Sequence, residues 1–206
     1  MKWIKSFREI NKLYYTNADV VKITELTPSS VNVLLNRLVK QKELIRLTTN
    51  CYILPERNSD IPLIANQLVF PSYLSFESAL SLAGVLSQIP YTLTFATILK
   101  TKHIRLGDRK IEYRQIQSNL FQDYVQRSDG LWIAEPEKAL FDLIYFTRLG
   151  KSKADLSTLD YSKIDPQRLE KMLTKFYPNR EKNTDGTEQN ADNRRNRKRQ
   201  INNDEC

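Results

Sequence analysis

The sequence predicts an α+β fold: three helices and a β-hairpin at the N-terminus, a mixed α+β domain behind them, and a disordered C-terminal tail. Three observations carry this. Apolar residues recur at helical spacing up to about residue 42 and then switch to short β-prone runs. From about residue 60, helical and strand-like stretches alternate. From Asn179 onward the chain is rich in Asn, Arg, Asp and Glu, with Ile201 its only large aliphatic residue. Such a tail buries too little apolar surface to offset its ordering entropy. The expected organisation is therefore a first domain over 1–56, a second over 60–178 and a tail over 179–206, with the polar stretch Glu56–Asp60 and Pro62 as a linker.

In the first segment, Phe7, Ile10, Leu13 and Tyr14 repeat as on a helix, and Thr16-Asn17 marks a break and a cap. Asp19–Ile23 forms a short second helix. Thr27-Pro28 is a strong start signal, because the hydroxyl caps free N–H groups and proline suits the first helical position. Val31, Leu34, Leu35, Leu38 and Val39 then follow the i, i+3, i+4, i+7, i+8 pattern of an amphipathic helix reaching about Lys42. Leu44–Thr48 and Cys51–Leu54 are β-prone runs flanking Thr49-Asn50, which places a hairpin tip in that polar pair.

In the second segment, Ser75 is placed to cap a helix through Phe76, Ala79, Leu80 and Leu82 that stops at Gly84. Tyr91–Leu99 alternates imperfectly as a strand. Ile104–Leu106 and Lys110–Tyr113 flank Gly107-Asp108, a hairpin turn signal. Leu131–Ile133 is a further strand. Pro136 opens a helix whose Ala139, Leu140, Leu143 and Ile144 share a face. A last helix from Pro166 is expected to bury Leu169, Met172, Leu173 and Phe176.

Charge and cysteine content narrow the function classes. The 206 residues carry a net charge of +8, which favours polyanionic partners through long-range attraction and counterion release. Residues 1–56 hold nine Lys/Arg against five Asp/Glu, the highest positive excess per residue of the three segments. Cys51 and Cys206 stand far apart, offering neither a disulfide framework nor a metal site, as expected in a reducing compartment. The sequence lacks an apolar run long enough to span a membrane, and the charged start MKWIKSFREINK does not read as a signal peptide. These features predict a cytoplasmic protein.

Three helices followed by a hairpin is the element order of a winged helix-turn-helix, whose third helix enters the DNA major groove. Projected at 100° per residue, Ser29, Val33 and Asn36 fall opposite the leucine face, with Ser30 and Arg37 beside them. Asparagine bonds adenine, arginine bonds guanine and valine meets the thymine methyl, so these five are the expected base-reading residues. Lys40, Lys42, Arg46, Thr48, Thr49 and Asn50 suit phosphates. The plain alternative is a solvated helix face. Against it, the face has no acidic residue before Glu43, and the hairpin follows at once. The run Arg194–Arg199 reads as solvated tail.

Catalytic signals are weak, and we expect no enzyme, no cofactor and no metal. Gly150-Lys151-Ser152 resembles the end of a phosphate-binding loop, but Tyr145 stands where a glycine is needed and a helix precedes it instead of a strand. His103 is the only histidine. Glu135 and Glu137 diverge on a helix, and Glu137 fits a first-turn anion favoured by the helix dipole.

Two motifs carry a family resemblance. Pro71–Leu80, with Gly84 closing the helix, and Ile133–Asp142, containing Pro136-Glu137-Lys138-Ala139-Leu140 and Asp142, resemble signatures of the AbiEi-type antitoxins of abortive-infection systems. The likeness covers roughly residues 5–175. Ala83 departs from it, since a larger polar or aromatic residue is expected before the glycine. The resemblance implies a winged helix that binds inverted repeats in double-stranded DNA of its own promoter, as paired copies, and represses its operon. It also implies a second domain that counters a cognate nucleotidyltransferase-like toxin in the type IV manner, which does not require direct toxin contact. For Glu77, Glu137, Lys138 and Asp142 we expect scaffold roles. The alternative is a winged-helix regulator whose second domain senses a ligand and has no toxin partner.

Overall fold

A computed structural model of the protein describes residues 2–152 and 154–176; the tail expected over 179–206 lies outside them. The described residues divide into two compact units, one up to residue 164 and one from residue 165. The fold is mixed α+β, with seven α-helices and two sheets among the described residues.

The first three helices are α1 (Lys2–Ile10), α2 (Asn17–Thr24) and α3 (Pro28–Lys40), followed by the strands β1 (Ile45–Thr48) and β2 (Cys51–Ile53). α1 ends before the expected Leu13 and Tyr14 because Asn11 takes a left-handed conformation (φ 52), which asparagine tolerates better than most residues. Leu13 and Tyr14 then pack against the apolar cluster beneath the second sheet. α2 begins in a capping box. Asp19 N–H donates to Thr16 Oγ1 at 3.2 Å, and Thr16 N–H donates back to Asp19 Oδ2 at 2.9 Å, satisfying two donors reciprocally. Thr27 caps α3 with Pro28 at its first position, and the helix buries Val31, Leu34, Leu35 and Leu38. Phe7, Tyr15, Val20 and Tyr52 complete that core. Tyr15 and Tyr52 exchange backbone hydrogen bonds of 2.8 and 2.9 Å, so the connection between α1 and α2 lies alongside the hairpin like a third strand.

The stretch expected as a linker is instead a 3-10 turn (Pro55–Asp60) leading into α4 (Ile61–Leu68). Pro62 lies in the first turn of α4, where a missing N–H costs nothing. Beyond α4 come β3 (Ser72–Leu74), α5 (Phe76–Leu82), β4 (Thr92–Thr97), β5 (Lys102–Leu106), β6 (Arg109–Gln115), β7 (Tyr124–Gln126), β8 (Trp132–Ala134) and α6 (Pro136–Arg148). The six strands form one sheet in the order β5-β6-β4-β3-β8-β7. The β4/β6 and β3/β8 pairs are parallel, and the rest are antiparallel.

Alternation along the strands separates the two faces of this sheet. Phe95, Ile111 and Tyr113 point toward α4, where Tyr113 Oη donates to Ala65 O at 2.7 Å. Thr94 and Arg114 point to the α5–α6 side, where Phe76 and Phe146 meet edge to face at 5.0 Å. The last helix, α7 (Pro166–Phe176), buries Met172 and Leu173. Leu169 and Phe176, near its two ends, are only half-buried.

The expected boundary at 56–60 is crossed by one hydrophobic cluster. Leu47, Cys51 and Ile53 of the hairpin share it with Ile64 and Ala65 of α4 and with Phe95, Leu106, Ile111 and Tyr113 of the sheet. At the same place Gly107 N–H donates to Leu47 O at 3.0 Å. Gly107 has φ +57, and a Cβ there would lie 3.5 Å from Leu47 Cδ2, so the turn favours glycine for its backbone conformation. Leu106→Ala should lower stability by about 2–5 kcal/mol. Urea unfolding followed at Trp3 in a Trp132→Phe background, and at Trp132 in a Trp3→Phe background, should shift equally. Unequal shifts would mean that the hairpin and the large sheet unfold separately.

Candidate nucleic-acid interface

The candidate interface starts from the face of α3 that its leucines leave free. Ser29, Ser30, Val33, Asn36, Arg37 and Lys40 are all exposed, and Val33 exposes 70% of its surface. The first turn is ordered by its cap: Thr27 Oγ1 accepts from Ser30 N–H at 3.4 Å and lies 3.1 and 3.0 Å from the hydroxyls of Ser29 and Ser30. Asn36, Arg37 and Lys40 therefore project about two to three turns beyond a fixed helix start.

The phosphate-contact candidates lie on the hairpin and its approach. Lys42 follows α3 with a left-handed backbone (φ 59). Arg46 is exposed, donates from Nε to Thr48 O at 3.2 Å, and sits 6.0 Å above the Tyr52 ring. Thr49 and Asn50 are exposed at the tip, while Thr48 is half-buried. Asn50 Oδ1 is already engaged, accepting from Asn17 N–H at 2.7 Å. Among the described residues, no acidic group forms an ion pair with Arg37, Lys40, Lys42 or Arg46. Their charges remain available to a polyanion.

A second basic surface adjoins the first, and sequence reasoning did not single it out. Residues 100–115 hold six Lys/Arg against two Asp/Glu. Lys100, Lys102, Arg105, Arg109 and Lys110 are exposed. Arg114 is the exception: it is pinned by Glu77 and Glu112, each at 3.0 Å. β5 is an edge strand, and its row of cations also discourages pairing with other chains. The β5–β6 turn is held by Tyr91, whose Oη donates to Asp108 O at 3.0 Å, and Lys110 lies 5.9 Å above the Tyr91 ring. The local charge density was visible in the sequence. Its position beside β1 follows only from the Gly107–Leu47 hydrogen bond.

Two of the residues expected as scaffold, Lys138 and Asp142, build a buried polar knot, and both family-like motifs converge on it. Tyr73 and Ser75 come from the first motif, Lys138 and Asp142 from the second. Asp142 Oδ2 accepts from Ser75 Oγ at 2.7 Å and from Tyr73 Oη at 3.0 Å, while Oδ1 lies 2.5 Å from Lys138 Nζ. Lys138 also donates to Leu120 O at 2.8 Å. Ser75 thus spends its hydroxyl on Asp142 instead of capping α5 as expected. Complete burial pushes the Asp142 carboxyl above the usual aspartate range, against the pull of Lys138, Ser75 and Tyr73. Ser75 and Asp142 are 0% exposed and Lys138 2%, so the knot ties α6 to β3 and has no open side for a substrate. Glu137 is buried in the first turn of α6 and Glu77 pairs with Arg114.

His103 is exposed on β5. No helix among the described residues is long and apolar enough to cross a membrane. No known protein family matches the sequence, and no curated protein matches it.

Removing one partner of a buried ion pair leaves an uncompensated buried charge. Lys138→Met should therefore cost about 3–5 kcal/mol in urea unfolding. The double change Lys138→Met/Asp142→Leu should recover most of that loss. A single variant as stable as the wild type would mean that the knot does not bear on stability.

Proposed function

We propose that this protein is a DNA-binding repressor whose first 56 residues act as a winged helix-turn-helix. α3 is the reading helix and the β1–β2 hairpin is the wing. The observation that carries the reading is the juxtaposition of an exposed polar face on α3, carrying Arg37 and Lys40, with a hairpin that exposes Arg46 and is approached through exposed Lys42. Base reading falls to Ser29, Ser30, Val33, Asn36 and Arg37, and phosphate contact to Lys40, Lys42, Arg46, Thr48, Thr49 and Asn50. Lys100, Lys102, Arg105, Arg109 and Lys110 extend the phosphate-contacting surface past the wing. Inverted repeats in the protein's own promoter are the proposed target, bound by paired copies.

The resemblance of residues 71–80 and 133–142 to AbiEi-type antitoxins supports a second role. The region behind the wing would counter a nucleotidyltransferase-like toxin encoded beside this protein. Co-expression with that toxin, scored for growth beside a promoter-reporter assay, tests both roles. Simultaneous change of Asn36, Arg37 and Lys40 to Ala should abolish repression and leave protection intact. Loss of protection at equal soluble expression would mean that neutralisation depends on the DNA-binding face.

Binding in vitro separates the two kinds of contact. Affinity for promoter DNA should fall by orders of magnitude between about 50 and 200 mM salt, as expected for roughly six or more phosphate contacts. Asn36→Ala or Arg37→Ala should cost about 1–3 kcal/mol and relax the preference for promoter over random DNA. Combined Arg105→Ala, Arg109→Ala and Lys110→Ala changes should weaken both DNAs equally and reduce the log–log salt slope by about 2–3. A flat salt response of the wild type overturns the DNA reading. An unchanged slope in the triple variant removes only the β5–β6 surface from it.

A further inference from the structure

Asn17 is the first residue of α2, and it bonds two other elements at once. Its backbone N–H donates to Asn50 Oδ1 at the hairpin tip at 2.7 Å, and its Nδ2 donates to Asn32 Oδ1 on α3 at 2.8 Å. The residues before it are immobilised. Tyr15 is hydrogen-bonded to Tyr52 of β2 in both directions. Thr16 sits in the capping box with Asp19, which Lys12 holds at 2.6 Å. Asn17 therefore projects its two donors from a fixed mount toward the hairpin tip and α3.

Its remaining polar atom points to what the residue is for. Among the described residues, Asn17 Oδ1 is the one buried side-chain oxygen or nitrogen without a hydrogen-bond partner. An orphaned buried acceptor is unfavourable, and native structures carry few. A helix start needs no such side chain, because the capping is done by Thr16 and Asp19. What the asparagine adds is the link to α3.

We infer that Asn17 is a positioning residue that holds the wing tip at a set distance from the reading helix, so that both engage DNA in one register. The inference rests on the DNA-binding reading above. It assigns the Asn50 side-chain carbonyl to the tether. Base readout needs the helix placed to within a fraction of an ångström, whereas phosphate contact depends mainly on charge and tolerates displacement. Loosening the tether without altering charge should therefore erode selectivity and spare general affinity.

Asn17→Pro and Asn50→Ala test this in the full chain. Proline removes both Asn17 donors yet fits the backbone, because the position is the first of a helix and Thr16 is extended (φ −92, ψ 165). Three quantities are compared with the wild type: affinity for the duplex immediately upstream of the reading frame, affinity for a random duplex of equal length, and backbone order parameters of Thr49 and Asn50 in the free protein. In both variants the ratio of the two affinities should fall roughly three- to tenfold, the worth of one pre-organising hydrogen bond. The melting midpoint should stay near wild type in both, and the order parameters at the tip should drop. Random-duplex affinity should stay near wild type in Asn17→Pro, whose site lies outside the phosphate-contact set. An unchanged ratio, an equal loss on both duplexes, or a tip as ordered as before overturns the inference. A wild-type protein with no preference between the duplexes overturns the DNA reading itself, and the order parameters, which need no DNA, still decide the tether.

Discussion

The packing of Leu47 against Leu106, with the Gly107 N–H on the Leu47 carbonyl, is the contact on which the arrangement of this molecule depends. β1 and β2 are too short to be stable alone, since an isolated two-stranded hairpin in water is marginal at best. Here its inner face, Leu47, Cys51 and Ile53, is covered by α4 and the large sheet. Its other support is the Tyr15–Tyr52 bridge from the α1–α2 connection. The hairpin therefore belongs to two cores at once. That double membership holds the hairpin between the helices that precede it and the β5–β6 turn.

The second constraint is internal to the large sheet. Asp142 and Lys138 are among the most deeply buried groups in the protein, and each lies among partners drawn from other elements. Such a knot is weak support for net stability, because desolvation offsets most of the attraction. It does impose geometry: an α6 shifted by one turn would carry the Lys138–Asp142 pair away from Tyr73, Ser75 and the Leu120 carbonyl and leave those buried bonds unmade. Aromatic rings reinforce this, with Tyr73 stacked on Tyr124 at 4.5 Å and Lys138 5.2 Å from the Phe141 ring. The motifs at 71–80 and 133–142 both supply side chains to this one buried cluster.

Local signals were legible wherever a residue pair and a period agreed. Thr27-Pro28 followed by five apolar residues at helical spacing located α3 within a residue or two. Gly107-Asp108 between β-prone runs located the β5–β6 turn. The exposed face of α3 was equally legible, since a buried leucine stripe leaves the opposite residues to solvent. Failures came where the signal was short or doubly interpretable. β3 and β7 are three residues each, too few to display a period of two. Pro62 was read as closing a linker although proline also opens helices, and α4 was lost for that reason. Ser75 was read as a cap because a hydroxyl before a helix usually is one; its partner Asp142 lies 67 residues away.

By itself, then, the sequence determined the α+β class, the order of most elements, the identity of the α3 face and the uneven distribution of charge. All of these depend on neighbours within about two helical turns, where periodicity, capping and turn chemistry act. Only the tertiary structure decided that the 55–60 stretch continues into α4, that the hairpin shares a core with the sheet, and that Asn17 reaches both Asn32 and Asn50. It alone brought the β5–β6 turn against β1. Those outcomes rest on contacts between residues tens of positions apart. Apolar burial drives such contacts without direction, so a pattern along the chain names the residues that must be covered but not the surfaces that cover them.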